Sequence, residues 1–386
     1  MRALKSIALT GAIAIAAAFA GCGGDEERPV TPSGTAAATA TTPRATAAAP
    51  PAESPSDRGG GDSVDDLRLG LGEALGQTIV ARYSGPSPSR SLLRRIRRGE
   101  VGGVILFADN VAQPRAGVRR AIASLHRAAR AGGRPKVLVM ADQEGGIVKR
   151  LPGPPSTSAA AMRSPGAEGR ATGRSLRALG ITVDLAPVAD VAHRGTFLGS
   201  RAFGTTPARV ASRACAFAGG LRGARVAAAL KHFPGLGYAR VNTDDAPATV
   251  TASAAALRRD HAPYRACGTQ PGTLAMLSSA VYPHLTGGGP AVLSPAAYRV
   301  LPRRGDWPVT ISDALETPAL ARQARPARRA LTAGLDLLLY ANTEQGSATA
   351  YRLLLQDARA GRIPRERIEE AAKRVLRLKA WVAQRG

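Results

Sequence analysis

From about residue 64 onward, short apolar runs alternate with longer stretches whose apolar side chains recur at helical spacing. The runs cover residues 78–83, 103–107, 137–141, 182–186, 226–231, 273–278, 308–312 and 335–340, and each predicts a buried strand. Between them lie stretches rich in Ala, Arg and Leu, such as 114–131, 207–222 and 253–266, which predict helices. A last helix is expected over 364–384, with Ile368, Ala371, Val375, Leu376 and Leu378 on one face, packing across the barrel. Eight strand–helix units in roughly 320 residues, with no second domain, predict an α/β fold, a single-domain TIM (β/α)8 barrel. A doubly wound open sheet is the other architecture with this alternation, but it does not usually need eight evenly spaced units.

The polar residues support the barrel. Barrel chemistry collects at the carboxyl ends of the strands, and charged residues fall there in this chain. The run at 137–140 leads into Ala141-Asp142-Gln143-Glu144-Gly145-Gly146, with Arg150 following. Leu185-Ala186-Pro187-Val188 leads to Asp190, and the next loop carries Gly199-Ser200-Arg201-Ala202-Phe203-Gly204. The run at 226–230 ends in Lys231-His232-Phe233-Pro234-Gly235-Leu236-Gly237, where Pro and Gly stop the strand. Asn242-Thr243-Asp244-Asp245 comes soon after, and the run at 308–311 ends in Ser312-Asp313. One such residue is accounted for by a cap or an ion pair. Four strand ends converging with Asp, Arg, Lys, His and Asp point to a functional site.

Composition adjusts this picture in two ways. Hydrophobic residues make up 44% of the chain, enough for a sizeable core, but aromatics only 4%, so Ala, Val, Leu and Ile must fill it. The formal net charge of +25 raises the question of nucleic acid. However, Arg94, Arg95, Arg97, Arg98, Arg119, Arg120, Arg127 and Arg130 are spread along predicted helices among Ala and Leu. No nucleic-acid module accompanies them. The expectation is a solvated Arg-rich surface facing an anionic envelope, with no nucleic-acid partner.

The first residues predict an address. Arg2 and Lys5 precede an apolar stretch at 7–19, and Ala20-Gly21-Cys22 matches a lipobox, so residues 1–22 are expected to be a lipoprotein signal peptide with lipidation at Cys22. An ordinary secretory signal with an incidental Cys is the other reading. The apolar stretch is short and Ala-rich for a membrane span. Residues 23–62, rich in Gly, Pro, Thr, Ala and Ser, predict a disordered tether to the domain at 63–386. The protein is thus expected to be exported, on the outer face of the membrane in the cell envelope. In that oxidising setting Cys215 and Cys267, on helices flanking the strand that ends in Lys231, are either joined in a disulfide or two buried thiols.

The strand-end segments resemble glycoside hydrolase family 3, in its single-barrel β-N-acetylglucosaminidase type. The matching residues are Gly102-Gly103-Val104-Ile105-Leu106-Phe107, Asp142-Gln143-Glu144-Gly145-Gly146-Ile147-Val148-Lys149-Arg150-Leu151, Ala186-Pro187-Val188-Ala189-Asp190-Val191, Arg201-Ala202-Phe203-Gly204, Lys231-His232-Phe233-Pro234-Gly235 and Ser312-Asp313. They follow the family's order from about residue 76 to the C-terminus. The resemblance implies that Asp142, Arg150, Arg201, Lys231 and His232 grip an N-acetylglucosamine ring, planar guanidiniums and carboxylates suiting sugar hydroxyls. Barrel-mouth salt bridging with Asp142 or Asp190 is the alternative for Arg150 and Arg201. It further implies that Asp313 is the nucleophile of a retaining double displacement. Its alternative is the N-cap of a helix starting near Leu315.

One loop departs from the family. After Lys-His-Phe-Pro-Gly the family continues with a second His and then an Asp-Ser/Thr-His triplet that supplies the acid/base. Here Leu236 replaces the second His, and the triplet reads Asn242-Thr243-Asp244. In one reading Asp244 takes over proton transfer, oriented by Asn242, with Asp245 as a neighbouring like charge. In the other these residues cap a turn, and the protein binds muropeptides or amino sugars with little hydrolysis. The expected function is removal of terminal β-linked N-acetylglucosamine from peptidoglycan-derived or related amino sugars, by a monomer. A β-glucosidase is disfavoured because those relatives usually carry further domains. No metal or organic cofactor is expected, there being no Cys/His ligand cluster, Walker glycine loop or dinucleotide fingerprint.

Overall fold

Eight short strands close into a parallel barrel in the computed structural model, which describes residues 69–384. The expected signal peptide, Cys22 and the tether lie outside the described residues. The strands are β1 (Ile79–Arg82), β2 (Gly103–Leu106), β3 (Leu138–Ala141), β4 (Val183–Asp184), β5 (Ala227–Phe233), β6 (Thr273–Leu277), β7 (Val309–Ser312) and β8 (Leu338–Leu339). Each neighbours the next in chain order, and β8 returns to β1 with Leu338 opposite Ile79. Between β7 and β8 a parallel bridge joins Ile311 to Leu337, so the ring is continuous. Seven of the apolar runs contain their strand, and the run at 226–231 holds most of β5, which continues two residues further to Phe233.

Side-chain alternation divides the interior in two. Val80, Ile105, Leu138, Met140, Val183, Ala229, Leu274, Val309 and Ile311 fill the inside of the barrel. Ile79, Ala81, Val104, Leu106, Val139, Ala228 and Leu230 face outward and meet the helices. The inner core holds mainly Val, Ile, Leu, Ala and Met, as the scarcity of aromatics requires. The last helix, Arg365–Ala383, closes one end, with Val375, Leu378 and Val382 joining the inner core and Trp381 packed on it. The helix Leu71–Gln77, just before β1, packs on this last helix, and Lys379 Nζ donates to Gln77 Oε1 at 2.6 Å.

The expected helix at 253–266 is not continuous. An α-helix spans Ala254–Asp260 and a π-helical turn spans Tyr264–Gly268. Pro263 lies between them and has no N–H to continue the ladder. Cys267 sits on the π-turn and Cys215 on the helix Pro207–Gly223, and the two are bonded, with Cα atoms 5.7 Å apart. After β3 the chain forms a small antiparallel hairpin, Gln143–Gly145 against Val148–Lys149, rather than a plain loop.

Candidate active site

The carboxyl ends of the strands surround a cavity of about 340 Å3, lined by Asp142, Glu144, Arg150, Arg201, Lys231, His232, Asn242, Asp244 and Asp313, among others. All the candidate sugar-gripping and bond-breaking residues therefore meet in one place. Ile105, Met276 and Leu339, on three strands, and Leu185, just after β4, supply apolar lining. Phe107, just beyond β2, forms part of the wall, with the guanidiniums of Arg82 and Arg150 over its ring at 4.7 and 5.2 Å.

The register of β5 explains how two consecutive polar residues reach this cavity. Lys231 pairs with Met276, and Phe233 with Leu277, so His232 is the extra residue of a bulge. A bulge re-aims side chains that a regular strand sends to opposite faces. Lys231 Nζ sits between Asp142 Oδ1 at 2.8 Å and Glu144 Oε1 at 2.7 Å. Arg201 holds Glu144 bidentately, at 2.9 Å from Nε and 2.8 Å through a terminal nitrogen. Burial pushes the Glu144 carboxyl up, but Lys231 and Arg201 outweigh it and hold the pKa at about 2. Burial also disfavours the charge on Lys231, yet Asp142 and Glu144 raise its pKa. Glu144, Arg201 and Lys231 are therefore each held in the charged form.

His232 is fixed from behind. Its Nδ1 lies 2.7 Å from Asp190 Oδ2, and Asp190 also accepts from the backbone N–H of His232 at 3.1 Å and of Leu236 at 2.7 Å. With the proton on Nδ1, the neutral ring presents Nε2 as an acceptor; it donates to a sugar hydroxyl only as the imidazolium.

Asp313 follows β7 and is half-buried. Its Oδ1 accepts from Ala314 N at 2.8 Å, and Thr243 Oγ1 donates to its Oδ2 at 3.4 Å. Burial raises its pKa first and the nearby charge of Asp244 second, while His232 and Lys231 oppose them. No helix starts near Leu315: the next helical turn is a short 3-10 segment at Pro318–Leu320, so Asp313 is not a helix N-cap. In the variant loop, Asn242 Nδ2 donates to Asp244 Oδ2 at 3.3 Å, and Asn242 O accepts from Asp245 N and Ala246 N at 3.0 and 3.1 Å. Asp244 is exposed.

The salt-bridge alternative for the arginines holds in part. Arg150 lies 3.6 Å from Asp142, whereas Arg201 pairs with Glu144 and not with Asp190. The reason is position: Asp190 is consumed by the turn at His232, while Glu144 on the hairpin points beside Lys231. Glu144, Asp190 and Thr243 were not singled out as site residues from the sequence, although each stands inside a segment quoted for the resemblance or for the departure from it. Asp184, at the end of β4, was missed as well. It is fully buried, accepts from Gln143 N at 3.0 Å through Oδ1, and has no partner for Oδ2. Burial pushes its pKa up to about 8.

A closed parallel barrel with an ionised glutamate, paired cations and a raised-pKa aspartate around one mouth defines an α/β-barrel protein with a charged cavity at its strand ends. Residues 71–378 match the family described as "Glycosyl hydrolase family 3 N terminal domain", and the chain belongs to glycoside hydrolase family 3. It is 32% identical over 334 residues to an uncharacterized secreted glycosyl hydrolase of Arthroderma benhamiae, covering 81% of this chain and 94% of that one. It is 36% identical over 272 residues to the beta-hexosaminidase LpqI of Mycobacterium tuberculosis, covering 64% of this chain and 70% of that one. Among solved structures, a family 3 beta-N-acetylglucosaminidase from Paenibacillus sp. str. FPU-7 superposes with a TM-score of 0.76 at 30% identity. That match covers 82% of this chain and 63% of the other.

Proposed function

We propose that this chain is a retaining β-N-acetylhexosaminidase acting outside the cytoplasm on peptidoglycan-derived or related amino sugars. The observation that carries the reading is the meeting of Asp313 and the loop carrying Asp244 at one cavity whose opposite side is the Asp142–Lys231–Glu144–Arg201 cluster. Asp142, Arg150, Arg201, Lys231 and His232 hold the terminal sugar. The Asp313 carboxylate attacks the anomeric carbon, the glycosidic C–O bond breaks, and the departing oxygen takes a proton from Asp244. Water then gives a proton to Asp244 and attacks the same carbon, releasing Asp313 and the sugar. Asn242 orients Asp244 through their hydrogen bond. The relatives named hexosaminidases and the secreted relative support this reading, and a lipid on Cys22 supplies the attachment.

A specific observation favours a second reading. The Asn242 carbonyl and side chain close the loop on itself, which is what a turn cap does. In that case the barrel holds amino sugars with little hydrolysis. An aryl N-acetyl-β-glucosaminide separates the two, assayed with the wild type, Asp313→Asn and Asp244→Asn. Release by the wild type that both substitutions suppress supports the enzyme; equal release by all three sinks it. Loss in Asp313→Asn alone leaves the nucleophile and removes Asp244 as the acid. Intact mass after treatment with a fluorinated, activated glycoside reads the glycosyl-enzyme on Asp313 directly.

A further inference from the structure

Away from the mouth, two cavities of about 600 and 540 Å3 run into one another along the outer wall, sharing His126, Arg177 and Gly180. The first is lined by the exposed side chains of Arg119, Arg120 and Arg127, on the helix Arg115–Ala131. The second is lined by Lys136 and by the accessible apolar side chains of Pro135, Ala380 and Ala383, together with the buried Val137, Leu376 and Val382. No Asp or Glu lines either one. Some arginines of this surface find carboxylates, as Arg134 does at Glu73 and Arg362 at Asp357. Arg119, Arg120, Arg127 and Lys136 have no ion-pair partner among the described residues. Like charges in a row repel, so this groove is a field waiting for an anion.

Its place in the fold says which kind. Lys136 and Val137 precede β3, Gly180 and Thr182 precede β4, and Arg177 ends its helix. The groove therefore opens toward the amino ends of the strands, opposite the mouth that holds Lys231 and Asp313. The described chain enters at the same end: Leu71–Gln77 leads into the amino end of β1, and its Gln77 bonds Lys379, which itself lines the second cavity.

We infer that this groove docks the barrel on an anionic phospholipid surface. Headgroup phosphates meet Arg119, Arg120, Arg127 and Lys136, and the glycerol region meets the accessible apolar side chains of Pro135, Ala380 and Ala383. A soluble polyanion would satisfy the cations and leave that apolar half uncovered. Docking in this sense turns the sugar-binding mouth away from the membrane. It does not depend on lipidation of Cys22 or on the hydrolytic reading.

Vesicle co-sedimentation tests it, with the full chain carrying Cys22→Ser so that no acyl anchor forms. The quantity read is the binding that phosphatidylglycerol adds over neutral phosphatidylcholine, so contributions common to all variants cancel. Arg119→Gln/Arg120→Gln/Arg127→Gln lowers this binding about a hundredfold, at about fivefold per cation lost. A second triple variant, Arg240→Gln/Arg258→Gln/Arg259→Gln, removes the same charge around the loop after β5 and keeps most of the binding. Equal losses in the two variants would mean that only overall positive charge matters, and would overturn the proposal. So would a groove variant that binds like its parent. Binding to soluble polyphosphate as tight as to vesicles of equal phosphate concentration refutes the lipid assignment.

Discussion

The carboxylate of Asp190 takes the ring Nδ1 of His232 at 2.7 Å and the backbone N–H of Leu236 at 2.7 Å. One buried side chain thus sets both the His232 imidazole at the cavity and the start of the loop after β5. Asp190→Ala leaves these donors stranded in a dry turn and is expected to lower stability by about 3 kcal/mol. With the ring no longer fixed, KM should rise more than kcat falls. Thermal unfolding and steady-state kinetics check the two parts separately, and Asp190→Asn, which keeps one acceptor, should recover some of both.

Glu144 is the shared counter-ion of Lys231 and Arg201, and all three are largely withdrawn from solvent. Glu144→Gln keeps the shape but leaves the two buried cations without their shared partner, with Asp142 and, for Arg201, Asp190 as the remaining negative charges. Breaking a buried ion pair on one side typically costs about 3–5 kcal/mol, so the urea midpoint of this variant should fall markedly. A midpoint within error of wild type would mean that water reaches the cluster.

The pH–rate profile should carry the signature of the Asp313–Asp244 pair. On the proposed mechanism the reacting form has Asp313 ionised, with burial holding its pKa above the usual value near 3.8, and Asp244 still carrying its proton, so the rate should rise and then fall with pH. Asp244→Asn removes the group whose ionisation gives the falling limb, and that limb should disappear while the rising one stays. The same substitution should lower kcat about 100- to 10,000-fold on substrates with poor leaving groups, and far less on activated aryl glycosides. A falling limb that survives in Asp244→Asn would mean that another group is the acid.

Asp184 predicts a pH dependence of stability. Its folded pKa, about 8, lies above the unfolded value near 3.8. Between those values the unfolded chain has released the proton and the native chain keeps it, so stability contributed by Asp184 is complete below about pH 4 and declines as pH rises toward 8. Glu144 acts oppositely and in another window: its stabilisation is present above pH 4.5 and is lost as pH falls toward 2. Asp184→Asn, neutral at every pH, should flatten the decline between pH 4 and 8 in denaturant titrations.

The barrel was legible because its strands are buried on both faces and read as continuous apolar runs. Even β4, reduced to Val183–Asp184, lay within the run at 182–186. The strand-end residues Asp142, Lys231, His232 and Asp313 were legible for a related reason: a charge at the end of a buried run has few structural uses. Partnerships were not. Arg201 and Glu144 are 57 residues apart, His232 and Asp190 are 42 apart, and Thr243 and Asp313 are 70 apart. No periodicity encodes which carboxylate a cation meets across a barrel. The break at Pro263 was readable, since proline signals it locally.

The variant loop meets the rest of the protein in two different ways. Its base is pinned: Leu236 N is held by Asp190, and a Cβ on Gly237 would lie 1.8 Å from the Val191 carbonyl oxygen. Its tip, from Asn242 to Ala246, makes its hydrogen bonds largely within itself, and buried Thr243 reaches Asp313. Substitutions at the tip can therefore change the groups that this loop brings to the cavity while leaving the Asp142–Lys231–Glu144–Arg201 cluster and the core untouched. The barrel thus keeps its scaffold and this loop's side chains mechanically separate, so one can be rewritten without unfolding the other.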